Sequence, residues 1–430
     1  MKQSIQPNNH PSVIQNFFIY VFGALCLGGF SILLAPINMR ILSPHDYGVI
    51  ALINSCISVG VTILGLGLRQ FLSIEYFHHD TAGQKKLINQ ILVVYACIAI
   101  PASLILLVLQ TRIVYWFSLH QISPLVFTIT VITIFLYFFV ELFYQVLKYQ
   151  HRALLLTGIQ TVIALGSLTI TMTLLLYFDF GLMSTLIGQL AGMSAATCIG
   201  MYLYRQENFS ESLHYKLQTK TIVHYLKQST PFIPGILASW IIASSDRLML
   251  AHYAGLHEVG IYAIADMFGS VFRLLILQSW SGSYLPYILS AYQTNKENIH
   301  SVEQKNNTIM WITLASLMFL MFFCFWLAKP LFLIILPPAY HEALHYVLII
   351  LTGHVFLLGS YFAASFIQYH KKTYFLAASF CIPAALNIIL NTLLIPRYKI
   401  YGATGATLIS YAIYFGIMLW YNYRLRRVPK

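Results

Sequence analysis

From a first apolar run near residues 17–37 to a last one that ends near Tyr423, the chain repeats one pattern. A run of about 20 apolar residues, the length of a helix that crosses hydrocarbon, is followed by a short polar break. Inside hydrocarbon a segment must satisfy its own backbone hydrogen bonds, so these runs are expected to be helices. Spans are expected near 15–38, 47–72, 87–110, 122–147, 153–177, 181–204, 229–251, 259–285, 308–329, 340–366, 373–395 and 402–424. A soluble protein with one very large core does not fit this repetition, nor a charged content of 9% beside 58% hydrophobic residues, where soluble domains carry about 25% charged. The expected fold class is an all-α polytopic membrane protein with about 12 transmembrane helices. The first run is too long for a signal peptide, follows a single Lys2, and shows no small-residue cleavage site.

The formal net charge is +12. In a soluble chain that would suggest nucleic acid, but here the charge reports topology, and no nucleic-acid partner is expected. Of the 25 basic residues, 17 fall in one alternate set of loops and termini, including Lys85, Lys86, Arg152, Arg205 and Arg424. Five fall in the other set: Arg40, Arg112, Lys329, Arg397 and Lys399. The positive-inside rule puts the richer set, with both termini, in the cytoplasm.

The two halves resemble each other. Ser43-Pro44-His45-Asp46-Tyr47-Gly48 and Gly255-Leu256-His257-Glu258-Val259-Gly260 lie 212 residues apart. Phe180-Gly181 to Tyr204-Arg205 likewise matches Tyr401-Gly402 to Tyr423-Arg424. Six spans per half make this a parallel repeat of two six-helix lobes, 1–215 and 216–430, with the polar stretch Arg205 to Gln228 between them. Such lobes commonly enclose a central substrate cavity.

Two segments carry a family resemblance. One is Met39-Arg40-Ile41-Leu42-Ser43-Pro44-His45-Asp46-Tyr47-Gly48, followed by Gly65-Leu66-Gly67-Leu68-Arg69. The other is Pro231-Phe232-Ile233-Pro234, then Ser245-Asp246-Arg247 and Val259-Gly260-Ile261-Tyr262. Together they resemble the Wzx-type polysaccharide flippases of the multidrug/oligosaccharidyl-lipid/polysaccharide exporter superfamily, over nearly the whole chain. The resemblance implies two six-helix lobes in a V in a bacterial inner membrane. It also implies movement of an undecaprenyl-pyrophosphate-linked oligosaccharide repeat unit from the cytoplasmic to the periplasmic leaflet, by alternating access, for O-antigen or capsule assembly. Membrane lipids, a polysaccharide polymerase and a chain-length regulator are the further candidate partners. The lipid II flippase branch usually has fourteen spans, and twelve are read here.

Charge inside a span costs roughly 2.5–3.5 kcal/mol on insertion scales unless it is paired or faces water. Arg69, Arg247 and Arg273 are therefore candidate substrate-binding residues of a cationic cavity, since a planar guanidinium pairs well with pyrophosphate oxygens. Glu141, Asp246 and Asp266 are candidate ion-coupling groups or counter-ions to those arginines. Asp266 and Arg273, seven residues apart, share a helix face, whereas the adjacent Asp246 and Arg247 point to different sides. Gly188 and Gly192 form a GxxxG pair that favours close helix packing.

His341-Glu342-Ala343-Leu344-His345 matches H-E-x-x-H, a zinc-protease spacing. It opens a span at the external edge, and the Asp-Gly signature of intramembrane proteases is absent, so no metal is expected. Tyr340 and Ala343 also fit the flippase pattern at this place. There is no P-loop and no GxSxG elbow, so neither an enzyme nor a cofactor is expected. All six cysteines fall in apolar runs, without a C-x-x-C pair, and read as packing residues. Two rivals remain: a cation-coupled multidrug exporter of the same fold, which should favour buried carboxylates over arginines, and a membrane polysaccharide polymerase, which usually needs a long external loop.

Overall fold

The computed structural model describes residues 35–112, 123–150, 152–208, 219–295 and 297–427. All regular elements among them are helical, without a strand. Ser43 starts α1 (Pro44–Leu64) with a capping box: its hydroxyl accepts from the Asp46 N–H, the Asp46 carboxylate accepts from the Ser43 N–H, and Pro44 fills the first turn. The motif read as a family signature is thus, physically, a helix start. At the other end the Gly65-Leu66-Gly67 turn breaks the span expected over 47–72. Leu66 and Gly67 take left-handed φ of 45° and 71°, and the chain restarts as α2 (Leu68–Glu75).

The N-terminal bundle continues with α3 (Thr81–Val108), α4 (Pro124–Tyr149), α5 (Ala153–Tyr177) and α6 (Leu182–Asn208). The GxxxG pair lets α6 approach α5: a Cβ at Gly188 would lie 2.0 Å from the Thr171 hydroxyl, and Ser167 donates to the Gly188 carbonyl at 2.7 Å. The short α7 (Thr219–Ser229) docks on this bundle through Phe71 against Tyr225 and through Tyr225 donating to Gln90 at 2.5 Å.

The C-terminal bundle comprises α8 (Ile233–Tyr253), α9 (Leu256–Ser279), a π turn over Trp280–Tyr284, α10 (Leu285–Thr294), α11 (Ile299–Ile335), α12 (Leu344–Tyr369), α13 (Thr373–Ala378) and α14 (Cys381–Arg427). Lys399, at φ 48° and ψ −122°, breaks α14 into two spans. Helix α12 is the buried axis of this bundle, whereas α11 exposes Trp311, Phe319, Phe323, Trp326 and Ile334 along its outer face. In water so many bare aromatic and aliphatic side chains would be a large unfavourable surface; in lipid they contact their natural solvent. Among the described residues, ten helices are long and apolar enough to cross a membrane, the broken α14 counted once. The span expected over 15–38 lies almost wholly outside the described residues, as does Cys26. Cys97, Cys198, Cys324 and Cys381 are exposed on the bundle surfaces, which corrects their reading as packing residues.

The bundles meet at the end opposite the basic loops. There α1 and α9 cross so closely that a Cβ at Gly48 would fall 1.8 Å from the Leu256 carbonyl oxygen, and one at Gly260 would fall 1.8 Å from that of Pro44. These contacts are reciprocal, and each partner is offset by the same 212 residues. Tyr340, in the 3₁₀ turn Pro338–Ala343, adds a hydroxyl donated to the Leu42 carbonyl at 2.8 Å and an edge contact with Tyr47 at 5.9 Å. The same turn takes His341 out of α-helical register with His345. The His341 ring is bonded to the Leu336 carbonyl at 2.8 Å, and Glu342 accepts from Tyr346 at 2.7 Å.

Candidate functional site

All six ionisable residues expected within spans are described, and they fall into two groups. In the N-terminal bundle, the break at Gly65–Gly67 turns the chain so that Arg69 faces α4. Its guanidinium meets Glu141 at 2.8 Å, with both side chains about one-third exposed. Gln145, one turn beyond Glu141, donates to the Arg69 carbonyl at 3.1 Å and holds the broken segment in place. Arg69 is thus a paired cation.

The other four residues form a cluster inside the C-terminal bundle. Tyr262, Asp266, Ser270 and Arg273 recur at helical spacing along one face of α9. They look toward Asp246 and Arg247 on α8, His354 on α12, and Thr404, Thr407 and Tyr411 on α14. Tyr262 donates its hydroxyl to the Asp246 carboxylate, which also accepts from the Arg247 N–H at 2.9 Å. Asp246 is 1% exposed. The Arg247 guanidinium is bonded to Asp266, whose carboxylate also accepts from Ser270 at 3.1 Å. These groups line a small cavity of about 70 Å³. A water needs on the order of 10–15 Å³ of such space, so the cavity holds a few waters and not a sugar chain.

Arg273 differs from the other two arginines. It is half-buried, lines the same cavity, and makes neither an ion pair nor a hydrogen bond among the described residues. Asp266, the carboxylate two turns earlier on its own helix, is held by Arg247 and Ser270. His354, Tyr361 and Tyr411 lie within electrostatic reach of Arg273. Arg273 lies about 25 Å along α9 from the sealed end, and helical side chains lean toward the N-terminus. Its Cα therefore lies nearer the basic end of α9 than the sealed end.

Sequence reasoning identified the charges but not their partners. It missed Tyr262 as the donor to Asp246 and His354 as a wall of the cavity. The His354 ring is 5% exposed and bonded to the Ile350 carbonyl at 3.0 Å. It also missed Glu303, which is fully buried at the basic end of the C-terminal bundle. Glu303 accepts from Tyr292, from Asn306 at 3.2 Å, from Asn422 at 2.9 Å and from Arg426 at 2.5 Å, tying α10, α11 and α14 together. Among the described residues no group of three His, Cys, Asp or Glu side chains is placed to hold a metal ion.

The chain matches the sequence model of a family described as "Polysaccharide biosynthesis protein" over residues 13–293, well over half its length. It is 21% identical over 415 residues to an uncharacterized membrane protein of Haemophilus influenzae, covering 94% of this chain and 97% of that one. It is 20% identical over 288 residues to the Lsg locus putative protein 1 of the same organism, covering 66% and 68% of the two chains. Among solved structures, lipid II flippase MurJ in an inward closed conformation superposes with a TM-score of 0.73 at 16% identity, over 97% of this chain and 88% of that chain. A point mutant of the Vibrio cholerae MATE transporter VcmN gives 0.66 at 15% identity, over 96% of both. At such identities the solved structures establish a shared fold.

Proposed function

The chain belongs to the polysaccharide biosynthesis protein family, and on that premise we propose that it flips an undecaprenyl-pyrophosphate-linked oligosaccharide repeat unit. The movement runs from the cytoplasmic to the periplasmic leaflet of a bacterial inner membrane, for O-antigen or capsular polysaccharide assembly. The family and the folds it resembles are those of transporters and flippases, not enzymes. The observation that carries the reading is Arg273, a half-buried cation on the cavity wall with no acidic partner among the described residues. A pyrophosphate brings about two negative charges and needs such a partner. The other two arginines already hold carboxylates, so Glu141 and Asp266 act as counter-ions, and Asp246, capped by Tyr262, is the remaining candidate for ion coupling.

The excess of basic loops supports a cytoplasmic basic end. Arg273 then lies nearest the leaflet from which the substrate comes. The Gly48–Gly260 seam and Tyr340 close the periplasmic end, so the state described is the one that receives substrate, and release requires this seam to part. The fold is equally that of MATE transporters, whose reading would be export of a small cationic solute. Against it, both carboxylates of the cluster are engaged by protein donors, whereas Arg273 has no acidic partner among the described residues.

Deletion of the gene in its host tests the proposal. The expected result is loss of surface polysaccharide with full-length lipid-linked repeat units accumulating on the cytoplasmic leaflet. Unchanged surface polysaccharide with raised sensitivity to cationic drugs would instead assign export.

A further inference from the structure

Helices α1 and α9, which cross at the sealed end, are both broken toward the basic end. Helix α1 stops at the Gly65-Leu66-Gly67 turn, where Leu66 and Gly67 take left-handed φ of 45° and 71°, and the chain restarts at Leu68. Helix α9 stops at Ser279 and runs into the π turn, which begins at Trp280. Leu68 and Trp280 are 212 residues apart, the same offset that relates Gly48 to Gly260. A π turn inside a helical run and a left-handed residue other than glycine both mark places where a helix yields. From Gly48 to Leu64 and from Gly260 to Ser279 the two helices are unbroken, about 24 and 29 Å at 1.5 Å per residue.

Beyond each break lies a short foot fixed to its own bundle. Helix α2 buries Leu68, Phe71 and Leu72 among Leu87, Ile91 and Tyr95 of α3, and Gln145 of α4 holds the Arg69 carbonyl. Helix α10 buries Ile288 and Tyr292 against Ile299 and Phe366. Tyr292 donates to Glu303, and Tyr284 donates to Asn306 at 2.9 Å. Pro286, in the first turn of α10, lacks the N–H that would continue the helix ladder across the π turn. The buried Trp280 ring lies 5.4 Å from Tyr361 and 6.2 Å from Phe362, and its indole N–H has no hydrogen-bond partner among the described residues. A buried donor left unmet is a cost of this state.

We propose that the two breaks are a matched pair of hinges, on which α1 and α9 swing within their bundles to part the sealed end while α2 and α10 stay fixed. Bundles that rock as rigid bodies would part the same seam without moving α1 against α4 or α9 against α12. The hinges are a property of the chain, and the inference stands whether or not the transported substrate is the one proposed above.

The test locks levers and feet in turn, in full-length protein whose native cysteines are replaced by serine. Hydrogen–deuterium exchange of the backbone amides of 42–50 and 256–262 reads the opening of the sealed end. Gly60→Cys with Ile134→Cys ties α1 to α4, and Gly269→Cys with Ile350→Cys ties α9 to α12. A Cβ at Gly60 would lie 2.6 Å from the Ile134 side chain, and one at Gly269 would lie 2.4 Å from that of Ile350, so each pair is within reach of a disulfide. Phe71→Cys with Tyr225→Cys, whose rings lie 5.1 Å apart, ties α2 to α7 through a short reducible methanethiosulfonate bridge. Ile288→Cys with Phe366→Cys ties α10 to α12 in the same way. Each lever lock is expected to slow exchange at the seam roughly tenfold or more when oxidised and to release it on reduction, so the reduced protein is its own folding control. The foot bridges should leave the rate within roughly twofold of the parent. If one lever pair does not fold when reduced, the other is read alone. Unchanged exchange with the levers locked overturns the proposal in favour of rigid rocking. So does equal slowing by the foot bridges, or a seam whose amides never exchange in the unaltered protein.

Discussion

Arg247 on α8 is ion-paired with Asp266 on α9, and with that carboxylate taken, Arg273, two turns further along α9, has no acidic partner among the described residues. The first prediction follows. Arg273→Ala should reduce transport by roughly ten- to a hundredfold at unchanged protein level, since a hydrogen bond to a charged group contributes about 1.5–3 kcal/mol. Arg273→Lys should retain part of the activity, because an ammonium keeps the charge and loses the planar fork. Lipid-linked repeat units measured in a complemented deletion strain check this.

The pair itself is structural. Asp266→Asn should leave the largely buried Arg247 guanidinium without its ion-pair partner, destabilising the bundle by about 3–5 kcal/mol. Joint replacement with Arg247→Met and Asp266→Leu should cost much less, as apolar isosteres do for buried pairs. Thermal unfolding of the purified variants in detergent distinguishes the two; equal losses would refute the pairing.

Glu303 gives a sharper version of the same argument. It is fully buried with four donors, so Glu303→Ala strands Arg426, Asn422, Asn306 and Tyr292 at once. Folded yield should fall severely, by more than for Glu141→Ala, whose carboxylate is about one-third exposed. Fluorescence-detected size exclusion of the two variants at matched expression measures the difference.

The crossing of α1 and α9 tolerates no side chain. A Cβ at Gly48 or Gly260 would overlap a backbone oxygen at 1.8 Å, so Gly48→Val or Gly260→Val should force the seam apart. A cysteine replacing Leu42, the acceptor of the Tyr340 hydroxyl, should then react faster with a membrane-impermeant maleimide added from the periplasmic side. Labelling no faster than in the parent would mean that the seam does not close that end.

Much of the fold was legible because lipid as solvent imposes one length and one polarity on every span. The same constraint made Arg69, Glu141, Asp246, Arg247, Asp266 and Arg273 stand out, since each costs free energy where it lies. Their partners were not legible, because Arg69 meets Glu141 and Arg247 meets Asp266 across helices, and helix spacing speaks only for neighbours on one helix. It did place Asp266 and Arg273 on a common face. Glu303 escaped notice because α11 runs well beyond its apolar stretch, so a residue that reads as part of a polar loop is buried in the bundle. His354 escaped because a lone histidine among apolar residues carries no periodic signal.

The most direct measurement is translocation in proteoliposomes. Purified protein would be reconstituted with a fluorescent polyprenyl-pyrophosphate oligosaccharide, and its exposure in each leaflet followed with a membrane-impermeant quencher. The account predicts protein-dependent exchange of the lipid between leaflets, reduced at least tenfold by Arg273→Ala and little changed when Arg69 and Glu141 are replaced together. Exchange that is equally fast with Arg273→Ala, or transport of a cationic drug by protein that leaves the lipid unmoved, would contradict it.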